Sequence, residues 1–190
     1  MTLPRFNEVS YAHFVTTKTF RNKKIFNDTK CCDIALRDID FYRKKLGFKL
    51  LGYCIVPDHL HLIVWWDVDK YFDLTISKVM HGIKGRSAKR ISNYLLSGRR
   101  GFHAPSLERQ GIKALPTRDI LYRQDTVKIW QPSFYDFNIY TEQKLHQKLN
   151  YIHWNPARAR LCAKPGDWPW SSYQFYESGE VGKIGIDILY

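Results

Sequence analysis

Two histidines placed two residues apart constrain this chain more than any other feature of its sequence. They lie in the run Pro57-Asp-His-Leu-His-Leu-Ile-Val-Trp65. Side chains alternate along a β-strand, so His59 and His61 point to the same face. The apolar residues that point to the other face are Leu60, Leu62 and Val64. The run therefore predicts a strand with a buried face and, on its second face, two imidazoles that form half of a metal site.

The periodicity of the remaining residues predicts an alternation of strands and helices. We expect strands at about 11–17, 48–56, 59–66 and 127–130, and helices at about 30–46 and 71–96. A third helix starts at the cap residue Thr141 and ends at Asn155, because Pro156 disfavours helical backbone before it. This order predicts an α+β fold, with a ferredoxin-like antiparallel sheet, two helices on one face and an additional C-terminal helix.

The domain prediction is a single unit over residues 1–190, with an inserted loop at about 97–127 and a C-terminal cap at about 157–190. The insert is expected because glycines, prolines and charges replace any regular period there. The four cysteines contain no Cys-x-x-Cys pair, so a structural zinc site is not favoured. No run approaches the ~20 apolar residues of a membrane helix, and we expect no membrane partner.

The charge of the chain points to a polyanionic partner. It carries 30 Lys and Arg against 18 Asp and Glu, for a formal net charge of +12. Between Asp73 and Glu108 no acidic residue occurs. Nucleic acid is the first partner that this balance favours, and a solvated basic helix face is the alternative. The residues of this span that we expect to contact DNA are Lys78, Lys84, Arg86, Lys89 and Arg90.

The third predicted helix carries a tyrosine that can meet the paired histidines. Its core-facing stripe consists of Leu145, Leu149 and Ile152. Tyr151 and Asn155 lie one turn apart on the flank of that stripe, with Lys148 between them around the axis. If the helix lies across the open face of the sheet, this flank faces His59 and His61.

Such a constellation suits phosphoryl transfer. Two imidazole nitrogens and an oxygen of Asn155 leave open positions for a phosphate, which favours Mg²⁺ or Mn²⁺ over a closed zinc site. Tyr151 would be the nucleophile, and because a free phenol is almost entirely protonated at neutral pH, it would need an activated phosphate. The predicted product is a phosphotyrosine link with a free 3′ hydroxyl, so the cut end can be rejoined.

Four segments resemble one family of DNA-processing enzymes. Pro57-Asp-His-Leu-His61 resembles the paired-histidine motif of the HUH single-strand endonucleases. Tyr151-Ile-His-Trp-Asn-Pro-Ala-Arg-Ala-Arg-Leu161 resembles the tyrosine motif of the REP-associated tyrosine transposases, relatives of small insertion-sequence transposases. Ile129–Asp136 and Asp167–Ser172 are similar to further family segments. The resemblance covers residues of about 8–70 and 128–176.

The resemblance implies a ferredoxin-like fold and cleavage of single-stranded DNA near imperfect hairpins. It makes His59 and His61 ligands of a divalent metal, Tyr151 the nucleophile and Asn155 the third ligand, where the insertion-sequence relatives usually carry glutamine. Lys148 and Arg158, beside and within the tyrosine motif, are expected to contact the DNA. The implied location is the cytoplasm, on the bacterial nucleoid.

The sequence leaves several alternatives open. A catalytically silent DNA-hairpin-binding protein would lack a histidine or the tyrosine, and this chain has all three. A histidine-triad hydrolase would need a third histidine where Ile63 stands, and an RNA-binding ferredoxin-like domain would need sheet aromatics that the strand around His59 lacks. Both a monomer and a homodimer are compatible with the sequence, as are mobilisation of its own gene and of dispersed repeats.

Overall fold

A four-stranded sheet and four α-helices make up the part of the chain that the computed structural model describes, residues 11–97 and 127–189. The strands are β1 (Ala12–Lys18), β2 (Lys49–Val56), β3 (His59–Trp65) and β4 (Tyr135–Ile139). The helices are α1 (Thr29–Leu46), α2 (Ile76–Ser97), α3 (Glu142–Arg158) and α4 (Tyr173–Ser178). Short 3₁₀ turns lie at Phe20–Asn22, Ile25–Asn27 and Pro165–Asp167.

The sheet has the strand order β2-β3-β1-β4, and all its pairs are antiparallel. The two central strands β3 and β1 are far apart in sequence, because α1 and β2 intervene. With α1 between β1 and β2, and α2 between β3 and β4, this is the order of a ferredoxin-like sheet. The fold class expected from the sequence is confirmed.

The two faces of the sheet have different coverings. Leu60, Leu62 and Val64 are fully buried, as their alternation predicts. On their side, α1 and α2 pack against each other and complete the core. The C-terminal helix α3 covers part of the opposite face, where it contacts β2. That second face is the one to which His59 and His61 point.

Local signals explain where the helices begin and end. The side chain of Asp28 caps α1 by accepting a hydrogen bond of 2.9 Å from the amide of Lys30. Gly47 ends the same helix in the left-handed region, at φ = 74°, which a residue with a Cβ seldom adopts. Thr141 caps α3 in the same way, by accepting from the amide of Lys144 at 3.2 Å.

The fourth strand is not where the sequence predicts it. Val127, Ile129 and Trp130 are buried. Two hydrogen bonds attach this segment to α2: the Trp130 indole donates to Ser87 Oγ at 3.0 Å, and the Val127 amide donates to Ser92 Oγ at 3.3 Å. Trp130 forms only an isolated bridge with Thr19. The strand itself is β4, in which only Ile139 is buried. An edge strand buries few side chains, so its apolar pattern is weak.

Two helix ends also differ from expectation. Helix α2 begins at Ile76 rather than near Tyr71, because residues before it form turns. Helix α3 continues through Pro156 to Arg158. A proline in the last turn of a helix removes only one hydrogen bond, and the Pro156 ring is buried. Asn155 therefore keeps helical geometry one full turn after Tyr151.

The chain after α3 covers the outer edge of β2. The amide of Ile55 donates to the Trp170 carbonyl at 2.9 Å, and the Trp168 indole donates to the Ile55 carbonyl at 2.7 Å. Both tryptophans are buried. Apart from its two end residues, the predicted insert at 97–127 lies outside the described residues. No helix within residues 11–97 and 127–189 is long and apolar enough to cross a membrane.

Candidate active site

The paired histidines and the helix that carries Tyr151 meet on the open face of the sheet. The His59 and His61 rings lie 4.7 Å apart between centroids. The Tyr151 ring lies edge-on to His61 at 5.5 Å, and the Asn155 amide nitrogen is 3.1 Å from His61 Nε2. The structure therefore brings together the four residues that the sequence predicts as nucleophile and metal ligands.

The packing of α3 against β2 sets this arrangement. Gly52 of β2 shares the face of the paired histidines. Because it has no side chain, Leu149 and Ile152 of α3 fill the space beside its Cα atom. These two residues belong to the apolar stripe predicted for the helix, so the stripe faces the sheet. The flank with Tyr151 and Asn155 is thereby turned toward β3.

A hydrogen bond to each Nδ1 orients each imidazole. His59 Nδ1 donates to the Asp58 carboxylate at 2.6 Å, and His61 Nδ1 donates to Thr16 Oγ1 at 2.8 Å. The Asn155 amide donates to His61 Nε2, which is consistent with the proton of His61 residing on Nδ1. Both Nε2 atoms are thus the ones that keep a lone pair for a ligand.

The protonation state of His61 also suits a ligand. Burial, followed by the nearby charges of His59 and Lys148, lowers the pKa of His61 to about 3. The side chain is 2% exposed. His61 is therefore a neutral imidazole throughout the physiological pH range, which is the form that binds metals. The hydrogen bond from His59 lowers the pKa of the Asp58 carboxyl, so this partner stays ionised.

The donor set fits a divalent cation that prefers six ligands. Adjacent ligands of an octahedral ion with bonds of about 2.1 Å lie about 3 Å apart, and Asn155 and His61 already have that separation. A half-turn of the amide presents Oδ1 in place of the nitrogen. In the described parts of the chain no group of three or more His, Cys, Asp or Glu is placed to hold a metal. Two imidazoles and one amide oxygen would leave the remaining positions of such an ion to water or phosphate.

Aromatic packing positions the tyrosine without burying it. Tyr151 is 43% exposed, and its ring lies edge-on to Phe14 at 6.0 Å. Phe14 in turn stacks on His61 at 5.6 Å. The Lys148 ammonium lies 4.4 Å from the centroids of both Phe14 and Phe137. A cation and a reachable phenol therefore stand beside the paired histidines, as a phosphate ester would require.

The predicted DNA-contacting residues are divided between the two sides of the molecule. Lys148 is at the site, and Arg158 is exposed at the end of the same helix. The other five belong to α2, which packs with α1 on the opposite face. They are Lys78, Lys84, Arg86, Lys89 and Arg90.

Several of these α2 residues use their donors within the protein. The Lys84 ammonium donates to the carbonyls of residues 131, 132 and 133 at 2.8–3.1 Å. Arg86 and Arg90 both bind the fully buried Asp38 carboxylate, at 2.9 and 2.5 Å. Lys78 pairs with Asp73 at 2.9 Å. The α2 cations and the paired histidines lie on opposite sides of the sheet, so they do not form one continuous surface for DNA phosphates. Binding of DNA by these five residues stays a prediction, and the exposed Lys89 is the strongest candidate among them.

Sequence reasoning missed the residues that orient the histidines. Asp58 could have been identified, because an acidic residue directly before a strand histidine is within reach of its ring. Thr16 could not, because its position opposite His61 depends on the pairing of β1 with β3. His153 points away from the site and bonds to Ser172 Oγ at 2.8 Å.

The known proteins to which this chain is similar are all described as transposases. The family model described as Transposase IS200 like matches residues 7–107, just over half of the chain. A curated protein of Haemophilus influenzae, provisionally named a REP-associated tyrosine transposase, is 24% identical over 139 residues. Those residues are 70% of this chain and 64% of that protein, so the match spans less than two thirds of the relative.

A solved structure has the same fold. It is described as a REP-associated tyrosine transposase bound to a REP hairpin, and it superposes with a TM-score of 0.60 at 16% identity. The superposition covers 100% of this chain and 94% of that chain. At this identity the likeness concerns the arrangement of strands and helices.

Proposed function

We propose that this chain, which belongs to the IS200-like transposase family, is a divalent-metal-dependent endonuclease of the HUH type. It cleaves single-stranded DNA near hairpins through Tyr151 and can rejoin the cut end. One observation carries the proposal: Tyr151 and Asn155, one turn apart on α3, both contact His61 on the face that His59 shares.

The covalent step exchanges one phosphate ester for another. The Tyr151 oxygen attacks the scissile phosphorus, and the bond from phosphorus to the 3′ oxygen breaks. The tyrosine gives up its proton to solvent, and the departing 3′ oxygen takes one up and leaves as a hydroxyl. The 5′ phosphate remains on Tyr151, so attack by another 3′ hydroxyl reverses the step and joins two strands.

The chain's own residues prepare this step by position and charge. His59, His61 and Asn155 would hold Mg²⁺ or Mn²⁺, which when bound would neutralise charge on the scissile phosphate. Asp58 and Thr16 keep the two imidazoles in the correct tautomer and orientation. Lys148, fixed over two phenylalanine rings, presents its charge beside the tyrosine. Tyr151 is half exposed, so DNA can reach it.

Hairpin DNA is the substrate class that this proposal names. The net charge of +12 favours a polyanion, and the description of the solved relative names a REP hairpin as that protein's ligand. A cytoplasmic, nucleoid-associated location follows from such a substrate. Monomer and homodimer both remain compatible with the site, because all its residues come from one chain.

The direct test is covalent capture of DNA. The protein is incubated with end-labelled hairpin DNA from the sequence flanking its own gene, with Mg²⁺ or Mn²⁺, and resolved on denaturing gels. We expect a metal-dependent protein–DNA adduct that Tyr151→Phe and His61→Ala abolish. Tyr140→Phe is the matched control, because Tyr140 is also exposed but lies outside the site.

Two outcomes would contradict the proposal. Tight hairpin binding by the wild type without any adduct would favour the silent DNA-hairpin-binding protein. Cleavage that persists in Tyr151→Phe would mean that another group is the nucleophile. Loss of the adduct in Tyr140→Phe as well would point to general damage, which circular dichroism of each variant would reveal.

A further inference from the structure

A row of side chains continues from His61 across the sheet to its edge. Thr16 of β1 is paired with His61 on one side and with Tyr135 of β4 on the other. Residues directly opposite each other in an antiparallel sheet share a face. Tyr135 therefore lies on the same face as the paired histidines, two strands away, at a distance of about 10 Å given the usual strand spacing.

Tyr135 is presented to solvent rather than to the core. It is 53% exposed on the edge strand, and its ring stands edge-on to Phe14 at 6.2 Å. Phe14 is the residue that also contacts His61 and Tyr151. The exposed phenol ring of Tyr135 thus packs against the same phenylalanine as the proposed nucleophile.

Two cations flank this row. Lys18, the last residue of β1, is exposed and paired in register with His59. Residues paired in register share a face of the sheet, so Lys18 lies on the face of the paired histidines, beside His59. Lys148 stands on the other side of the row, over Phe14 and Phe137.

We propose that Lys18, Tyr135 and Lys148 form a nucleotide track that leads single-stranded DNA from Tyr151 to the edge of the sheet. Tyr135 stacks on an unpaired base close to the scissile phosphate, and Lys18 contacts a backbone phosphate. Exposed aromatic rings alternating with cations are how proteins hold single strands without reading their sequence. This inference rests on the proposed function for the direction of the strand, but its binding surface is testable without cleavage.

Binding of two single strands of equal length and charge tests the role of Tyr135. One is a fluorescein-labelled mixed-sequence DNA, and the other is the same length of abasic deoxyribose-phosphate. Affinity is measured by fluorescence anisotropy, without divalent metal, for Tyr135→Ala, Tyr135→Phe and Tyr140→Ala. We expect Tyr135→Ala to bind the mixed-sequence strand about 5- to 150-fold more weakly, and the abasic strand as the wild type does. Tyr135→Phe and Tyr140→Ala should retain wild-type affinity for both.

Salt dependence tests the role of Lys18. Removing one phosphate contact should reduce the slope of log affinity against log salt by about 0.7, so Lys18→Gln should show that decrease. Lys30→Gln, which removes an exposed charge from α1 on the other side of the sheet, is the charge-matched control and should leave the slope unchanged.

The outcomes separate the track from the nuclease. Equal losses of affinity for both strands in Tyr135→Ala, or no loss at all, would overturn the stacking role. An unchanged slope in Lys18→Gln would overturn the phosphate contact, and absence of single-strand binding by the wild type would overturn the whole track. If the binding pattern is as expected but no adduct forms with Tyr151, the track stands and the nuclease proposal falls.

Discussion

Replacing Gly52 by alanine should push the helix that carries Tyr151 away from the sheet. An added Cβ would lie 2.7 Å from the Leu149 Cδ2 atom and 3.2 Å from the Ile152 Cδ1 atom. Cβ atoms in proteins essentially never lie as close as 2.7 Å to another carbon atom, so either Leu149 or the helix must shift. Gly52 has no positive φ that would exclude alanine, so in the folded state the substitution acts through packing and not through backbone strain.

The magnitude follows from two opposing terms. Overpacking a well-filled core costs about 1–3 kcal/mol. Alanine restricts the unfolded chain more than glycine does, which returns about 0.5–1 kcal/mol. We therefore expect Gly52→Ala to lower the free energy of unfolding by up to about 2.5 kcal/mol, with about 1 kcal/mol at the middle of both ranges. The distance between Asn155 and His61 should lengthen with the displaced helix, and Mn²⁺ affinity should fall as well.

A double-mutant cycle with Leu149→Ala measures the clash directly. Leu149→Ala alone removes a buried side chain and should cost about 2–5 kcal/mol. In that background the new methyl group has space, so Gly52→Ala should become neutral or stabilising. The coupling free energy, from urea unfolding of the four proteins, should be about 2 kcal/mol.

Gly85→Ala is the matched control for this experiment. Gly85 is exposed in α2 and has no atom within 4 Å of a Cβ built on it. This substitution should stabilise the protein by about 1 kcal/mol through helix propensity. If Gly52→Ala stabilises to the same extent as Gly85→Ala, or if the cycle shows no coupling with Leu149→Ala, the packing argument is refuted.

Three further predictions concern orientation, burial and pH. Thr16→Val should weaken Mn²⁺ binding, measured by calorimetric titration, by about 10- to 100-fold, because His61 loses the partner of its Nδ1 proton; equal affinity would exclude that role. Arg86→Gln, which removes one of two partners of the buried Asp38 carboxylate, should cost about 1–3 kcal/mol in urea unfolding without changing the salt slope of DNA binding. Burial lowers the pKa of His153 to about 4, so the fold loses stability as pH falls from about 6.5 toward 4. The wild type should lose about 3 kcal/mol more than His153→Gln over that range, by urea unfolding at each pH, and parallel curves would contradict this.

The elements with strong local patterns were predictable, and the weak ones were not. Helix α1 follows its apolar period and ends at Gly47 as expected. Strands β2 and β3 form the predicted antiparallel pair. The run 127–130 has the apolar character of a strand, but α2 buries it, while the true edge strand β4 has one buried residue. Apolar content reports burial, and burial does not specify which partner provides it.

The charged span of α2 illustrates the same limit. Its cations are recognisable in the sequence, but their orientation depends on the layer to which the helix belongs. Arg86 and Arg90 turn toward Asp38 of α1, and Lys84 binds the carbonyls of the chain before β4. A run of positive charge therefore indicates a nucleic-acid partner without indicating which of its residues are available to that partner.

The sequence by itself determined which residues share a local face. A period of two places His59 beside His61, and a period of 3.6 places Tyr151 beside Asn155, whatever the rest of the chain does. Only the tertiary structure decided that these two pairs meet, that Thr16 orients His61, and that Tyr135 continues the row. The physical reason is that strand register and helix placement come from burying apolar surface between segments far apart in the chain, and a shift of one residue would turn every side chain of a strand to the other face.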